Sequence, residues 1–449
     1  MKRRNFINIT ALTSLGTIMG DTGYSHNNIH PDFSRSLEKD GEDGFDNWFT
    51  ESRFGMFVHW GLYAIPAVHE QYQQRYNIPR KQYEQYAKQW NPVDFDPEKW
   101  LDLMQEAGMK YLTFTTKHHD GFCMWDTKQT SFNVMNTPYK KDIIGMLTSA
   151  CHKRNIPISL YYSVVDWHHP NYPNEGRHHE LPAPGQNDKP DWEKYIRFLK
   201  AQVKELCTDY GKISGFWWDM NVPEYKDPSI NAMIRELQPG IMINNRGFDE
   251  GDFGTPEREY KNKLPENNAF AKPIEACQSV GMQSWGYRKN EDYYTDRYLK
   301  RSIDSYLSGG ANYLLNVGPD EKGLIPKKSK EILIKIGKWY HSVEEAYKDV
   351  ELLNGIGNKD ILITGRDHIL YVHLNKLPKG NSIGLYPLKV IPEEVILLNT
   401  SQPLKYVVKR KPYEKEAFLW VQDIPVNEYP NEIMVIKLEF NKPVKQLIQ

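Results

Sequence analysis

Phe54-Gly55-Met56-Phe57-Val58-His59-Trp60 is an apolar run that breaks into polar chemistry at its end. A short, nearly unbroken apolar run is what a strand buried on both faces requires. The texture returns at Tyr111–Thr116, Ile158–Val164, Gly215–Asp219, Ile241–Asn245 and Tyr313–Val317. Between these runs lie amphipathic helical patterns at Pro97–Ala107, Ile143–Lys153, Trp192–Tyr210, Ile230–Leu237 and Arg297–Ser308. Strand–helix alternation sustained over roughly 300 residues predicts a parallel sheet, and the length favours a closed (β/α) barrel of the TIM type. An open doubly wound sheet is the rival. Its dinucleotide-binding version is weak, because no GxGxxG follows an early strand.

A last helical pattern covers Pro326–Tyr347, with Ile332, Leu333, Ile336 and Trp339 at helical spacing. The texture then changes. Ile361–Thr364, Ile369–Leu374, Ser382–Tyr386, Val395–Leu398, Lys405–Val408, Ala417–Val421 and Ile433–Leu438 are short alternating runs separated by turn residues. That spacing predicts a C-terminal antiparallel β-sandwich. The organisation read from the chain is therefore an export signal over 1–25, a barrel over 26–348 and a sandwich over 349–449.

Composition narrows the function. The 449 residues carry 57 Lys+Arg against 58 Asp+Glu, a net charge of −1. A nucleic-acid binder would show a basic excess. Aromatic residues reach 13%, with 12 Trp and 28 Tyr. Flat rings suit the C–H faces of sugars, and they also fill cores. The four cysteines, Cys123, Cys151, Cys207 and Cys277, form no CxxC pair. Neither a zinc ribbon nor a disulfide scaffold follows, and buried free thiols are expected. The N-terminus reads Met1-Lys2-Arg3-Arg4-Asn5-Phe6-Ile7 and continues into a mildly apolar stretch to Met19. This is the pattern of an export signal, and Arg3-Arg4-x-Phe6-Ile7 is similar to a twin-arginine signal. It is too short to span a bilayer. A periplasmic or secreted protein is expected, with no membrane span.

The chemistry gathers at strand ends, where a (β/α) barrel builds its active site. The first strand ends in His59-Trp60-Gly61 and the second in Lys117-His118-His119-Asp120-Gly121-Phe122. The third ends in Tyr161-Tyr162-Ser163, the fourth in Trp217-Trp218-Asp219, the fifth in Asn244-Asn245-Arg246-Gly247. A single His at such a place is usually structural, and a single Asp often caps the next helix. Neighbours on a strand face opposite ways, so one of His118 and His119 is expected to point away from the mouth. Trp217 and Asp219 are two apart and share a face. Two further carboxyl candidates follow. Glu257 lies in Gly254-Thr255-Pro256-Glu257, and Glu275 in Ile274-Glu275-Ala276-Cys277, with Trp285 and Tyr287 just beyond. The loop His168–Asp191 is long enough to form part of the rim.

Taken together, Arg53-Phe54-Gly55-Met56-Phe57-Val58-His59-Trp60-Gly61, Lys117-His118-His119-Asp120-Gly121-Phe122, Leu160-Tyr161-Tyr162-Ser163, Trp217-Trp218-Asp219 and Ser284-Trp285-Gly286-Tyr287 resemble the retaining α-L-fucosidases of glycoside hydrolase family 29. The match runs in order from about residue 45 to 345, specific as a set though not motif by motif. The resemblance implies a catalytic barrel followed by a β-sandwich. It implies hydrolysis of terminal α-L-fucosyl linkages through a covalent glycosyl-aspartate, with Asp219 as nucleophile. Glu257 or Glu275 would be the acid/base, with Glu257 preferred because it follows Arg246 on the same strand-end loop. His59, Glu70, His118, His119, Tyr161, Trp217, Arg246 and Trp285 would line the sugar pocket. Many family members carry Trp directly after the pocket Glu, whereas this chain has Gln71. No metal or organic cofactor is implied, and the partner is a fucosylated oligosaccharide or glycoconjugate. Two rival readings stand beside this one. A metal-dependent hydrolase could use His59, His118, His119 and Asp219 as ligands. A non-catalytic sugar-binding barrel would keep the aromatics.

Overall fold

The computed structural model describes residues 48–222, 224–258, 273–413 and 415–447. The N-terminal signal expected from the sequence lies outside these residues. Seven parallel strands form one curled sheet: β1 (Phe54–Val58), β2 (Tyr111–Lys117), β3 (Ile158–Ser163), β4 (Gly215–Asp219), β5 (Met242–Ile243), β6 (Glu275–Ser279) and β7 (Asn312–Val317). Their order is β5-β4-β3-β2-β1-β7-β6. The two edges are joined by the segment 253–257, which bridges Asn244 on one side through Phe253, and Ile274 and Cys277 on the other through Gly254 and Glu257. The predicted barrel is thus realised, with irregular backbone in the place of one strand.

Period two governs which side chains go where. Met56 and Val58, Leu160 and Tyr162, Phe216 and Trp218, Leu315 and Val317 pack outward against the helices. Phe57, Tyr161 and Trp217 between them, and Leu314 just before Leu315, fill the barrel interior with Tyr111, Phe253 and Cys277. Gly55 makes room for this interior. A Cβ there would lie 2.4 Å from the ring of Tyr111. The helices outside start as their sequences direct. Asp96, Asp142, Asp191, Asp227 and Thr295 each accept a backbone N–H of the first turn.

Three details differ from the sequence reading. The fifth strand has two residues rather than five, because the Asn244 side chain takes over the pairing. Its Oδ1 accepts the Trp218 N–H at 2.8 Å and its Nδ2 donates to the Trp218 carbonyl at 2.9 Å. The strand β6 was not anticipated, since Glu275, Gln278 and Ser279 disguise a fully buried run. His118 and His119 do not diverge. The register between β2 and β3 slips between Thr115 and Lys117, the strand ends at Lys117, and the alternation stops before the histidines.

The last helix, Lys327–Val343, runs into a tight turn at Glu344–Tyr347. Antiparallel strands follow: β8 (Glu351–Leu352), β9 (Leu362–Arg366), β10 (Ile369–His373), β11 (Ile383–Gly384), β12 (Glu394–Leu397), β13 (Gln402–Pro403), β14 (Lys405–Lys409), β15 (Phe418–Gln422) and β16 (Val435–Glu439). They form sheets ordered β13-β12-β16-β10-β9-β8 and β11-β15-β14. Leu370, Val372, Val395, Leu397, Leu419, Val421, Ile436 and Leu438 make the core between these sheets. Tyr371 and Val435 point the other way and join the barrel's core. The predicted C-terminal sandwich is present. All four cysteines are free and buried, as expected. Among the described residues no helix is long and apolar enough to cross a membrane.

Candidate active site

A pocket of about 210 Å³ opens at the C-terminal ends of the strands. That is room for several waters or one small ring. Its lining includes His59, Glu70, His118, His119, Tyr161, Trp217, Asp219, Glu257 and Trp285. Arg246 stands just behind, bonded to two of these carboxylates. Ten of the eleven residues singled out in the sequence therefore converge here.

Asp219 is the last residue of β4 and is nearly buried. Its Oδ2 accepts the Tyr161 hydroxyl at 2.6 Å, and its Oδ1 accepts Arg246 Nη1 at 3.1 Å. Burial, then the neighbouring Asp219 charge, pushes the Tyr161 phenol far above its ordinary value, so it remains a donor. The same Arg246 Nη1 also bonds Glu257 Oε1. Arg246 lies over the Trp217 ring, 4.7 Å from its centre. It also donates from Nε to Thr255 Oγ1 at 2.6 Å. Two hydrogen bonds to one nitrogen hold the carboxylate oxygens within about 6 Å of each other. Both carboxylates are followed by a non-glycine residue in the left-handed region, Met220 (φ 53°) and Arg258 (φ 47°). Such conformations cost about 1–3 kcal/mol and persist where the surroundings over-determine them. At Arg258 the turn has a visible consequence: consecutive residues 257 and 258 both reach the pocket.

The histidines are neutral acceptors and donors rather than cations. Burial lowers His59, and lowers His118 and His119 strongly, before any neighbouring charge is counted. His59 Nδ1 is 2.7 Å from Asn316 Oδ1, and the Asn316 amide donates to Ser279 and to the Trp285 carbonyl. The proton is therefore on Nδ1, and Nε2 is an acceptor. His119 Nδ1 is 2.6 Å from Ser163 Oγ, whose own proton goes to the Val165 carbonyl. His119 Nε2 is thus a second acceptor, 3.8 Å from Asp219 Oδ2. His119 Nε2 is therefore open to a donor entering the pocket. Among the described residues His118 Nδ1 is buried without a partner. Glu70 Oε2 accepts from Ser284 Oγ at 2.6 Å and the Trp285 N–H at 2.9 Å. Burial works to raise this carboxyl, but His69 and the Ser284 bond bring it below its ordinary value. Trp285 lies against His59, ring centres 5.3 Å apart.

Glu275 is the residue the structure keeps away from the pocket. It begins β6, at the opposite end of the barrel interior, and accepts Tyr111 Oη at 2.6 Å and Trp217 Nε1 at 3.0 Å. Burial raises its carboxyl to about 7. It supports Trp217 from beneath. Sequence reasoning missed His179, which the rim loop brings into the pocket, with Trp167 Nε1 holding the His179 carbonyl at 2.7 Å. It also missed Arg75 and Arg258. Only the number of histidines in that loop could have pointed to His179. Among the described residues no group of three or more His, Cys, Asp or Glu is arranged to hold a metal ion.

A parallel barrel whose mouth pairs two carboxylates amid neutral acceptors and indole faces defines a glycoside hydrolase. Comparison with known proteins agrees. Residues 24–345 match the family model described as Alpha-L-fucosidase. Tissue alpha-L-fucosidase of Mus musculus is 29% identical over 67% of this chain and 70% of its own length. That of Homo sapiens is 27% identical over 86% of this chain and 87% of its own length. Among solved structures, alpha-L-fucosidase isoenzyme 1 from Paenibacillus thiaminolyticus is 33% identical with a TM-score of 0.79, covering 88% of this chain and 98% of its own. A trapped covalent intermediate of a Bacteroides thetaiotaomicron alpha-L-fucosidase with 2-fluoro-fucosyl fluoride is 28% identical with a TM-score of 0.74, covering 87% and 94%. The chain belongs to the alpha-L-fucosidase family, glycoside hydrolase family 29.

Proposed function

We propose that this chain hydrolyses terminal α-L-fucosyl linkages of glycans by double displacement, with Asp219 as nucleophile and Glu257 as acid/base. The observation that carries this reading is the shared nitrogen of Arg246, which keeps both carboxylates close at the pocket wall. The resulting spacing suits a retaining enzyme, whose carboxyls stand about 5–5.5 Å apart. The covalent intermediate trapped in the Bacteroides thetaiotaomicron relative adds support from the same family.

In the first step Asp219 attacks the anomeric carbon while Glu257 gives its proton to the leaving oxygen. The C–O bond to the leaving group breaks and an ester to Asp219 forms. In the second step Glu257 removes a proton from water, which attacks the same carbon and frees Asp219. Tyr161 and Arg246 stabilise the Asp219 carboxylate before attack and after release. His59 Nε2, His119 Nε2 and the Glu70 oxygen not engaged by Ser284 accept protons of the sugar hydroxyls. Trp285 and Trp217 line the pocket and supply apolar contact for ring carbons and the methyl group. Catalysis is assigned to the barrel, 26–348, and the sandwich, 349–449, braces it. The basic, then apolar, N-terminal segment 1–25 directs export to the periplasm or beyond.

The test is labelling of Asp219. Incubation with 2-fluoro-fucosyl fluoride should add one fluorofucosyl group to the peptide containing Asp219. Asp219→Ala should lose at least about 10³-fold in kcat on 4-nitrophenyl α-L-fucoside. Azide should restore turnover, giving a fucosyl azide of inverted configuration. Full activity in Asp219→Ala would overturn the assignment.

A further inference from the structure

Three carboxylates and three guanidiniums meet at the pocket, but they are not all paired with one another. Asp219 and Glu257 are satisfied by one cation, Arg246, and Glu70 by the Ser284–Trp285 turn. Two more guanidinium groups, Arg75 and Arg258, line the same pocket. Among the described residues neither forms an ion pair with a carboxylate. His69 lines the pocket with them.

Each is also oriented. Arg75 is exposed, and its Nε donates to Gln71 Oε1 at 2.9 Å. Gln71 Nε2 in turn lies 2.7 Å from His179 Nδ1. The Gln71 amide thus links Arg75 to the rim loop that carries His179. Arg258 sits 4.6 Å above the Trp285 ring and donates to the Met282 carbonyl at 2.7 Å. An arginine fork held this way, with a face left over, is the usual receptor for a planar or tetrahedral oxyanion.

We propose that the leaving-group side of the pocket takes an anionic substituent, a sulfate ester or a carboxylate, on the sugar being released. This rests on the hydrolase reading above: Glu257 and Arg258 line one pocket, and the oxygen that Glu257 would protonate belongs to the sugar being released.

Three disaccharides test it: α-L-fucosyl N-acetylglucosamine, its sulfate ester, and α-L-fucosyl glucuronic acid. The readout is kcat/KM for each anionic substrate divided by that for the neutral one. The expected ratio in the unaltered enzyme is about tenfold or more for at least one anionic substrate at low salt. It should shrink as ionic strength rises. In Arg75→Gln, and separately in Arg258→Gln, it should fall towards one. Arg75 is exposed, so its variant keeps the test alive should Arg258→Gln misfold. A ratio near one in the unaltered enzyme overturns the inference, as does a preference that both variants retain, and neither result touches the hydrolase reading. Failure to cleave any of the three, or 4-nitrophenyl α-L-fucoside, overturns that reading and this inference with it.

Discussion

Two glutamates looked alike as residues and turned out to be in opposite situations. Glu257 shares a guanidinium with Asp219, whereas Glu275 is sealed beneath Trp217. Burial holds the Glu275 carboxyl at about 7, above its ordinary 4.5. The folded chain therefore keeps a proton there that the unfolded chain has already released. That stabilising contribution is complete below about pH 4.5 and is lost as pH rises through about 7, a cost of up to about 3 kcal/mol. Glu275→Gln keeps the acceptor for Trp217 Nε1 and cannot ionise. Urea midpoints measured at pH 5 and pH 8 should show the variant gaining on the parent as pH rises. A difference that stays flat with pH would show that Glu275 does not titrate in this range.

At the scale of elements, the segment 253–257 decides whether the site exists. It closes the barrel and delivers Glu257, yet it has few regular strand bonds. The Glu275 N–H to the Gly254 carbonyl at 2.8 Å and the Cys277 N–H to the Pro256 carbonyl at 2.9 Å hold it to β6. Its approach from β5 depends on Gly251, at φ 58°, where a Cβ would come within 2.4 Å of the Asn244 carbonyl oxygen. That contact is with backbone and cannot be relieved by a rotamer. Gly251→Ala should cost about 2 kcal/mol or more in stability and reduce kcat about tenfold or more, since Glu257 moves with the segment. Thermal unfolding and steady-state kinetics on one preparation read both. Unchanged kcat with lowered stability would mean the segment does not steer Glu257.

Across the whole molecule, the sandwich and barrel are joined through buried polar chemistry as well as apolar contact. Asp304, on the helix Asp296–Ser308, receives His373 Nδ1 at 2.6 Å, Tyr347 Oη at 2.8 Å and Asn375 Nδ2 at 2.7 Å. His373 and Asp304 are fully buried. Removing one partner of such a pair strands the other in low dielectric, so His373→Ala should destabilise the protein by about 3 kcal/mol. A denaturant midpoint unchanged from the parent would show that the junction is not a stabilising element. This arrangement also explains why the sheet β13-β12-β16-β10-β9-β8 has two apolar faces. Leu370 and Val372 serve the sandwich, and Tyr371 between them serves the barrel.

The sequence by itself determined the sheet type, the order of the elements and which strand ends carry chemistry. Those features follow from local periodicity, which any strand or helix must obey. Gly215–Asp219 and Ile143–Lys153 fall at their expected limits. It hid β6, because polar residues that are satisfied inside a barrel read as surface. Only the tertiary structure set Glu257 beside Asp219 and Glu275 beneath Trp217, turned both His118 and His119 to one side, and brought His179, Arg75 and Arg258 to the pocket. These depend on distances between segments far apart in the chain, on a register slip and on a left-handed residue at 258. A periodic pattern encodes which face a residue takes within its own element, and it carries no information about which partner waits across the gap.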